Sequence, residues 1–278
     1  MAQTLLTQTS KKKNEVVANE KPAVKPDKEP KQTENTPRTD QDAQSASTNH
    51  INMSKAIVEA KQVSKVYFQG KANELWALKE ANISVNAGEM VSIMGPSGSG
   101  KTTLLNCISG IDEATSGEVV IDGQDLQSLR DKEKTKYRAS KMGFIFQTFN
   151  LIPVLTAVEN VEMPLLVNNL STAEAREKAV EMLTRVGLGD RLHHKPAELS
   201  GGQRQRVTVA RALVHNPAVV WADEPTGNLD TKTADEIMQM MIQLNQEYNQ
   251  TFVIITHDQD VADKTQRIIH MRDGKVLD

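Results

Sequence analysis

Eight consecutive residues, Gly95-Pro-Ser-Gly-Ser-Gly-Lys-Thr102, carry the densest chemistry in the sequence. Their pattern, G-x-x-x-x-G-K-[ST], suits a chain of phosphates. Gly95, Gly98 and Gly100 let the backbone curl around Pro96, Ser97 and Ser99, so that successive N–H groups point at phosphate oxygens. A helix opening at Lys101 directs its positive end at the same anion. Lys101 is suited to reach the β- and γ-phosphates, the Thr102 hydroxyl to ligate Mg²⁺, and Thr103 to line the same site. A bare Gly/Ser loop is the alternative. The apolar strand before it (89–94) and the helix-compatible stretch after it favour a phosphate cradle.

Two further segments belong beside this loop. Val219-Val220-Trp221-Ala222 is an apolar strand that ends in Asp223 and Glu224. In nucleotide hydrolases built this way, a strand next to the phosphate loop brings an Asp to the Mg²⁺ shell, a role that Asp223 fits. Glu224 then faces the γ-phosphate and can polarise the attacking water. The implied reaction is hydrolysis of a nucleoside triphosphate at the γ-phosphate. The second segment, Leu199-Ser200-Gly201-Gly202-Gln203, offers a hydroxyl and two exposed N–H groups at the start of a helix. By itself it reads equally as a glycine turn that caps the helix.

The elements that must position these residues alternate. Strand patterns fall at 56–63, 75–85, 89–94, 118–121, 142–146, 218–222, 252–256 and 267–271. Helix patterns fall at 101–109, from Thr156 to Leu166 with Pro164 expected to limit it, after a Ser171–Glu174 capping box, over 203–214 and over 231–248. Ala175, Ala179, Met182, Leu183 and Val186 share one face of the helix after Ser171. The order predicts an α/β domain over 54–278 with a largely parallel core sheet and a helical subdomain over about 150–200. Residues 1–53 contain no Gly and no aromatic residue but hold 4 of the 10 prolines, and they read as a disordered polar tail. The Lys11-Lys12-Lys13 run in it reads as solvated.

Composition removes other classes. A single cysteine, Cys107, forms no internal disulfide. No apolar run approaches the ~20 residues of a membrane helix, and the N-terminus has no signal-peptide core. Residues 54–278 hold 25 Lys/Arg against 29 Asp/Glu, a balance that disfavours nucleic acid as partner.

With the segment at 199–206 the sequence resembles the nucleotide-binding subunit of an ATP-binding cassette (ABC) transporter, over about 55–278. Seven motifs stand in the family's order. The resemblance implies that Tyr67 stacks on adenine. It implies that Gln147 touches Mg²⁺ and the attacking water and relays motion to a membrane subunit. Gly227-Asn-Leu-Asp230 matches the family's D-loop, and His257 the histidine that contacts the γ-phosphate. It further implies two copies joined head to tail around two ATP, with Ser200, Gly201, Gly202, Gln203 and Asp230 of one copy completing the site of the other. The resemblance extends to fold: a P-loop cassette with an N-terminal antiparallel β subdomain and an inserted helical subdomain.

A separate permease is then required, which would hold the chain at the cytoplasmic face of the membrane. Its expected docking surface is 147–166, with Phe149, Leu151 and Ile152 forming an apolar groove. The stretches 150–165 and 222–230 resemble the macrolide-exporter and lipoprotein-release group, which implies extrusion or mechanical transmission. A cell-division ATPase or an importer ATPase is the alternative, and a soluble ABC protein a third reading. Many importer cassettes carry an added C-terminal domain, whereas this sequence stops just after its last strand pattern.

Overall fold

The structure, a computed structural model, describes residues 56–277. The polar tail expected over 1–53 lies outside the described residues.

Period-two alternation builds the centre of the fold. In β7 (Val219–Asp223), Val220 and Ala222 pack into one apolar cluster, while Val219 and Trp221 pack into another. In β8 (Thr251–Thr256), Phe252 and Ile254 join the first cluster, and Val253 and Ile255 the second. A strand apolar on both faces needs cover on both sides. One cover is α3 (Ala157–Val167), α4 (Thr172–Arg185), α5 (Gly201–Leu213) and α6 (Thr231–Tyr248). The other is α1 (Lys101–Ile108) together with a separate antiparallel sheet.

The core sheet runs β10-β9-β3-β8-β7-β6, with β3 (Met90–Met94), β6 (Met142–Phe146), β9 (Arg267–Arg272) and β10 (Lys275–Val276). All its pairings are parallel except β10 with β9. The second sheet runs β2-β1-β4-β5 and is antiparallel, with β1 (Ala56–Tyr67), β2 (Leu75–Asn86), β4 (Ser116–Ile121) and β5 (Gln124–Asp125). The expected mostly parallel core and N-terminal antiparallel sheet are both present.

The helical region follows its capping residues. Ser171 Oγ accepts the Glu174 N–H at 3.3 Å, and the Ser171 N–H donates to the Glu174 carboxylate. That reciprocal pair starts α4 where the sequence places it. Ala175, Ala179 and Leu183 of α4 are fully buried, and burial of Leu183 alone contributes about 2 kcal/mol. From within α3, Asn160 fastens the loop that leaves β6. It is fully buried; its Oδ1 accepts the Ile152 N–H at 2.8 Å, and its Nδ2 donates toward the Ile152, Leu155 and Thr156 carbonyls.

Beyond short elements such as β5 and β10, two helices differ from expectation. Helix α2 (Asp131–Lys141) has no apolar stripe in DKEKTKYRASK and buries no residue, so periodicity is blind to it. It is held by polar ties: the Tyr137 hydroxyl donates to the Ile121 carbonyl at 2.6 Å, and Lys141 pairs with Asp122 at 2.9 Å. Helix α3 continues three residues past Pro164 to Val167. The proline costs one intrahelical bond, yet its carbonyl still accepts from the Asn168 N–H and Nδ2 to close the helix end.

Candidate active site

Three parallel strands deliver their C-terminal ends to one cleft. Register aligns Met94 with Thr256 and Ile255 with Asp223, so the chain leaves β3, β8 and β7 side by side. Such an edge is where open α/β sheets bind ligands. The cleft measures about 970 Å³ and is lined by Tyr67, Pro96, Ser97, Gly98, Gly100, Lys101, Thr102, Thr103, Asp223, Glu224 and His257 among the expected residues. In the sheet β8 lies between β3 and β7. Asp223, at the end of β7, still lines the cleft together with Thr102.

The loop after β3 depends on glycine at two positions. Gly100 has φ +100° at the start of α1, and a Cβ there would stand 2.6 Å from the Ala77 carbonyl. A Cβ on Gly95 would stand 2.1 Å from the Met271 carbonyl. The Ser99 N–H closes a turn onto the Pro96 carbonyl, and Lys101 Nζ donates to the carbonyls of Gly95 and Pro96 at 2.8 and 3.0 Å. No side chain caps α1, which leaves first-turn N–H groups available to an anion.

Facing the loop are two carboxylates in different settings. Burial pushes the Asp223 carboxyl up, and the charge of Glu224 adds to it; Lys101 and the Thr102 hydroxyl oppose without cancelling. Glu224 adopts φ +47°, a conformation that non-glycine residues hold only when their surroundings impose it. Its N–H donates to the Ile255 carbonyl at 2.9 Å, and its carbonyl accepts from Gly227. His257 Nδ1 donates to Glu224 Oε1 across 2.7 Å.

Other expected residues stand elsewhere. Gly95 and Ser99 sit in the loop, but neither lines the cleft. The Gln147 amide lies against Gly227, where a Cβ would be 2.8 Å from Nε2, and it is also absent from the lining. Ser200 caps α5 through the Gln203 N–H at 3.2 Å, and Gly202 lies against Thr233. Asp230 caps α6 through the Thr233 N–H. Sequence reading missed Leu75, Trp76, Asp273 and Gly274 in the cleft wall. The Asp273-Gly274 pair was a readable hairpin-turn signal between β9 and β10. Gly274 ties the turn to the loop, because its N–H donates to the Ser99 carbonyl at 2.9 Å.

Residues 78–227 match the family described as ABC transporter. The chain is 50% identical over 224 residues to the ABC transporter ATP-binding protein MJ0796 of Methanocaldococcus jannaschii, covering 79% of this chain and 95% of that protein. The chain belongs to the ABC transporter family. It is an ATP-hydrolysing subunit of that family. The lipoprotein-releasing system ATP-binding protein LolD of Alcanivorax borkumensis is 46% identical over 224 residues, with 81% of this chain and 98% of that protein covered. Among solved structures, a dimeric post-hydrolysis state of the MJ0796 cassette bound to ADP and Pi matches with TM-score 0.73 and 48% identity. That match covers 80% of this chain and 97% of the other. CbiO1 of Clostridium perfringens, part of the transporter complex cbiONQ, matches with TM-score 0.72 and 29% identity, over 80% and 87%.

This ABC cassette has a second concave surface. A groove of about 410 Å³ is walled by Phe144, Phe146, Met163, Pro164 and Val167, with Arg138, Arg211 and His215 on its polar side. Of the three apolar residues expected to form a groove, Ile152 is exposed, Leu151 packs on the core, and the Phe149 ring lies 5.1 Å from the Arg204 guanidinium. None of the three lines this groove. Arg211 of α5 also grips the loop after β6, donating to the Phe149 and Asn150 carbonyls at 2.9 and 2.6 Å. Among the described residues no helix is long and apolar enough to cross a membrane.

Proposed function

We propose that two copies of this chain close around two MgATP and drive a separate membrane permease, with extrusion or mechanical transmission as the work. In each cleft Tyr67 meets the adenine, and the loop from Gly95 to Thr102, with Thr103, holds the phosphates. The attacking water forms its bond to the γ-phosphorus as the bond to the β-bridging oxygen breaks, and ADP and phosphate result. Glu224 accepts the water proton; its imposed backbone and its 2.7 Å bond from His257 fix the carboxylate in place. His257 also serves the γ-phosphate. The single observation that carries this reading is the convergence of β3, β8 and β7 on one cleft that gathers the loop, Asp223, Glu224 and His257.

Thr102, Asp223 and Gln147 are the residues that would hold Mg²⁺. The fit rests on the donors: all are oxygens, hard ligands of the kind Mg²⁺ takes, and Thr102 and Asp223 line one cleft. When bound, the ion supplies charge neutralisation at the β- and γ-phosphates. Ser200, Gly201, Gly202, Gln203 and Asp230 serve the nucleotide of the second copy, consistent with their place outside this chain's own cleft. The dimeric cassette structure with ADP and Pi supports that arrangement.

The permease docks on the groove between β6 and α3, which holds the chain at the cytoplasmic face of the membrane. The identities to lipoprotein-releasing LolD proteins, 46% and 43%, favour the lipoprotein-release and exporter group. The decisive variant is Glu224→Gln. Calorimetry should find MgATP bound as in the unmodified chain. Turnover should fall by about 10²- to 10⁴-fold, the usual weight of a general base. Light scattering should show an ATP-dependent dimer. Hydrolysis at the unmodified rate refutes the assignment.

A further inference from the structure

The nucleoside end of the cleft is built with more care than a lone stacking ring requires. Tyr67 is the last residue of β1; beyond it Phe68 turns to φ +55° and lies exposed. The ladder therefore ends at the residue whose ring lines the cleft. What fixes that ring is side-chain chemistry. The Tyr67 hydroxyl donates to Asp112 Oδ2 at 3.0 Å. Asp112 Oδ1 accepts Lys65 Nζ and the Glu113 N–H, both at 2.8 Å. Lys65 Nζ stands 5.0 Å from the centroid of the Tyr67 ring, within cation–π range, and donates also to the Glu113 carbonyl.

Asp112 is itself anchored. Its N–H donates to the carbonyl of Asn106, in the last turn of α1, and the Thr115 N–H donates to the Ser64 carbonyl of β1 at 2.8 Å. Thr103, in the first turn of α1, lines the same cleft as Tyr67. Through Asp112 the ring is thus tied to the last turn of the helix that begins at the phosphate loop. Burial raises the Asp112 pKa, but the bonds from Lys65 and Tyr67 outweigh it and hold the carboxyl below its ordinary range.

We propose that Asp112 is a positioning residue of the nucleotide site: through the Tyr67 hydroxyl and through Lys65 it sets the ring where a purine base stacks, at a fixed span from the phosphate loop. The gain is preorganisation, since a ring already in place loses little freedom when the base arrives. The inference rests on the reading of Tyr67 as the base platform, and its test separates the two.

The test titrates the full chain with ATP and with inorganic tripolyphosphate, which has phosphates but no base. Asp112→Ala should weaken ATP by about five- to tenfold, the worth of one lost hydrogen bond to a polar partner, and leave tripolyphosphate within about twofold. Steady-state KM for ATP should rise by the same factor while kcat holds. Asp112→Asn keeps an oxygen acceptor for the Tyr67 hydroxyl, and should recover most of the affinity; it also serves if the alanine variant fails to fold. Equal weakening of ATP and tripolyphosphate overturns the proposal, because it marks a merely structural role. So does an unchanged Asp112→Ala beside a Tyr67→Ala that loses ATP selectively. If Tyr67→Ala leaves ATP binding unchanged, the platform reading fails and the proposal with it.

Discussion

Replacing Asn160 by alanine should unfasten the loop between β6 and α3 at a cost that the structure lets one count. The side chain is 0% exposed. It accepts one N–H, from Ile152, and its two amide protons are shared among the carbonyls of Ile152, Leu155 and Thr156. Alanine removes about three hydrogen bonds of about 1 kcal/mol each and leaves the Ile152 N–H without its partner. The expected destabilisation is about 2–4 kcal/mol. For a folded unit of this size each kcal/mol lowers Tm by about 2–4 °C, so Tm should fall by about 5–15 °C. Thermal unfolding followed by circular dichroism, in the absence of nucleotide, measures it. Asn160→Asp should be worse than alanine, because a carboxylate facing three carbonyls is buried without a counter-charge. A Tm within 2 °C of the unmodified chain for Asn160→Ala would refute the count.

Burial holds the His215 pKa below its usual 6.5, with Nε2 donating to the Met142 carbonyl. The unfolded chain therefore binds this proton first as pH falls, and stability should decline from about pH 7 downward through the acid side of 6.5. His215→Gln should flatten that decline, and an unchanged slope would count against it. At the docking groove, Val167 is 58% exposed, so Val167→Asp should leave Tm unaltered while reducing co-sedimentation with membranes of the source cell that carry the permease. Full retention on those membranes would move the docking surface elsewhere.

The parts of this fold that announce themselves in sequence are those where one residue type answers one physical demand. The glycine loop, the carboxylates at the end of an apolar strand and the Ser171 box are local, and each stands where its pattern places it. What stayed hidden depends on neighbours distant in the chain. Helix α2 has no fully buried residue and is held by ties to residues distant in the chain, Ile121 and Asp122 among them. Phe149 looked like groove lining because nothing in its own segment shows Arg204 waiting 55 positions later. The interposition of β8 between β3 and β7 is a fact of strand order, which periodicity does not encode. Asp112 reads as an unremarkable turn residue until β1 is brought beside it.

Arg211 gives α5 a second end. From Ser200 to Arg211 the helix rises about 16 Å. Its tip presents the Ser-Gly-Gly segment, while its heel holds the two consecutive left-handed residues Phe149 and Asn150 by their carbonyls. A rod gripped in this way behaves as a tiller: a push on the loop beside the groove swings the tip, and a load on the tip is felt at the loop. On the proposed function, push and load would share the stretch of helix from Ser200 to Arg211, in either direction.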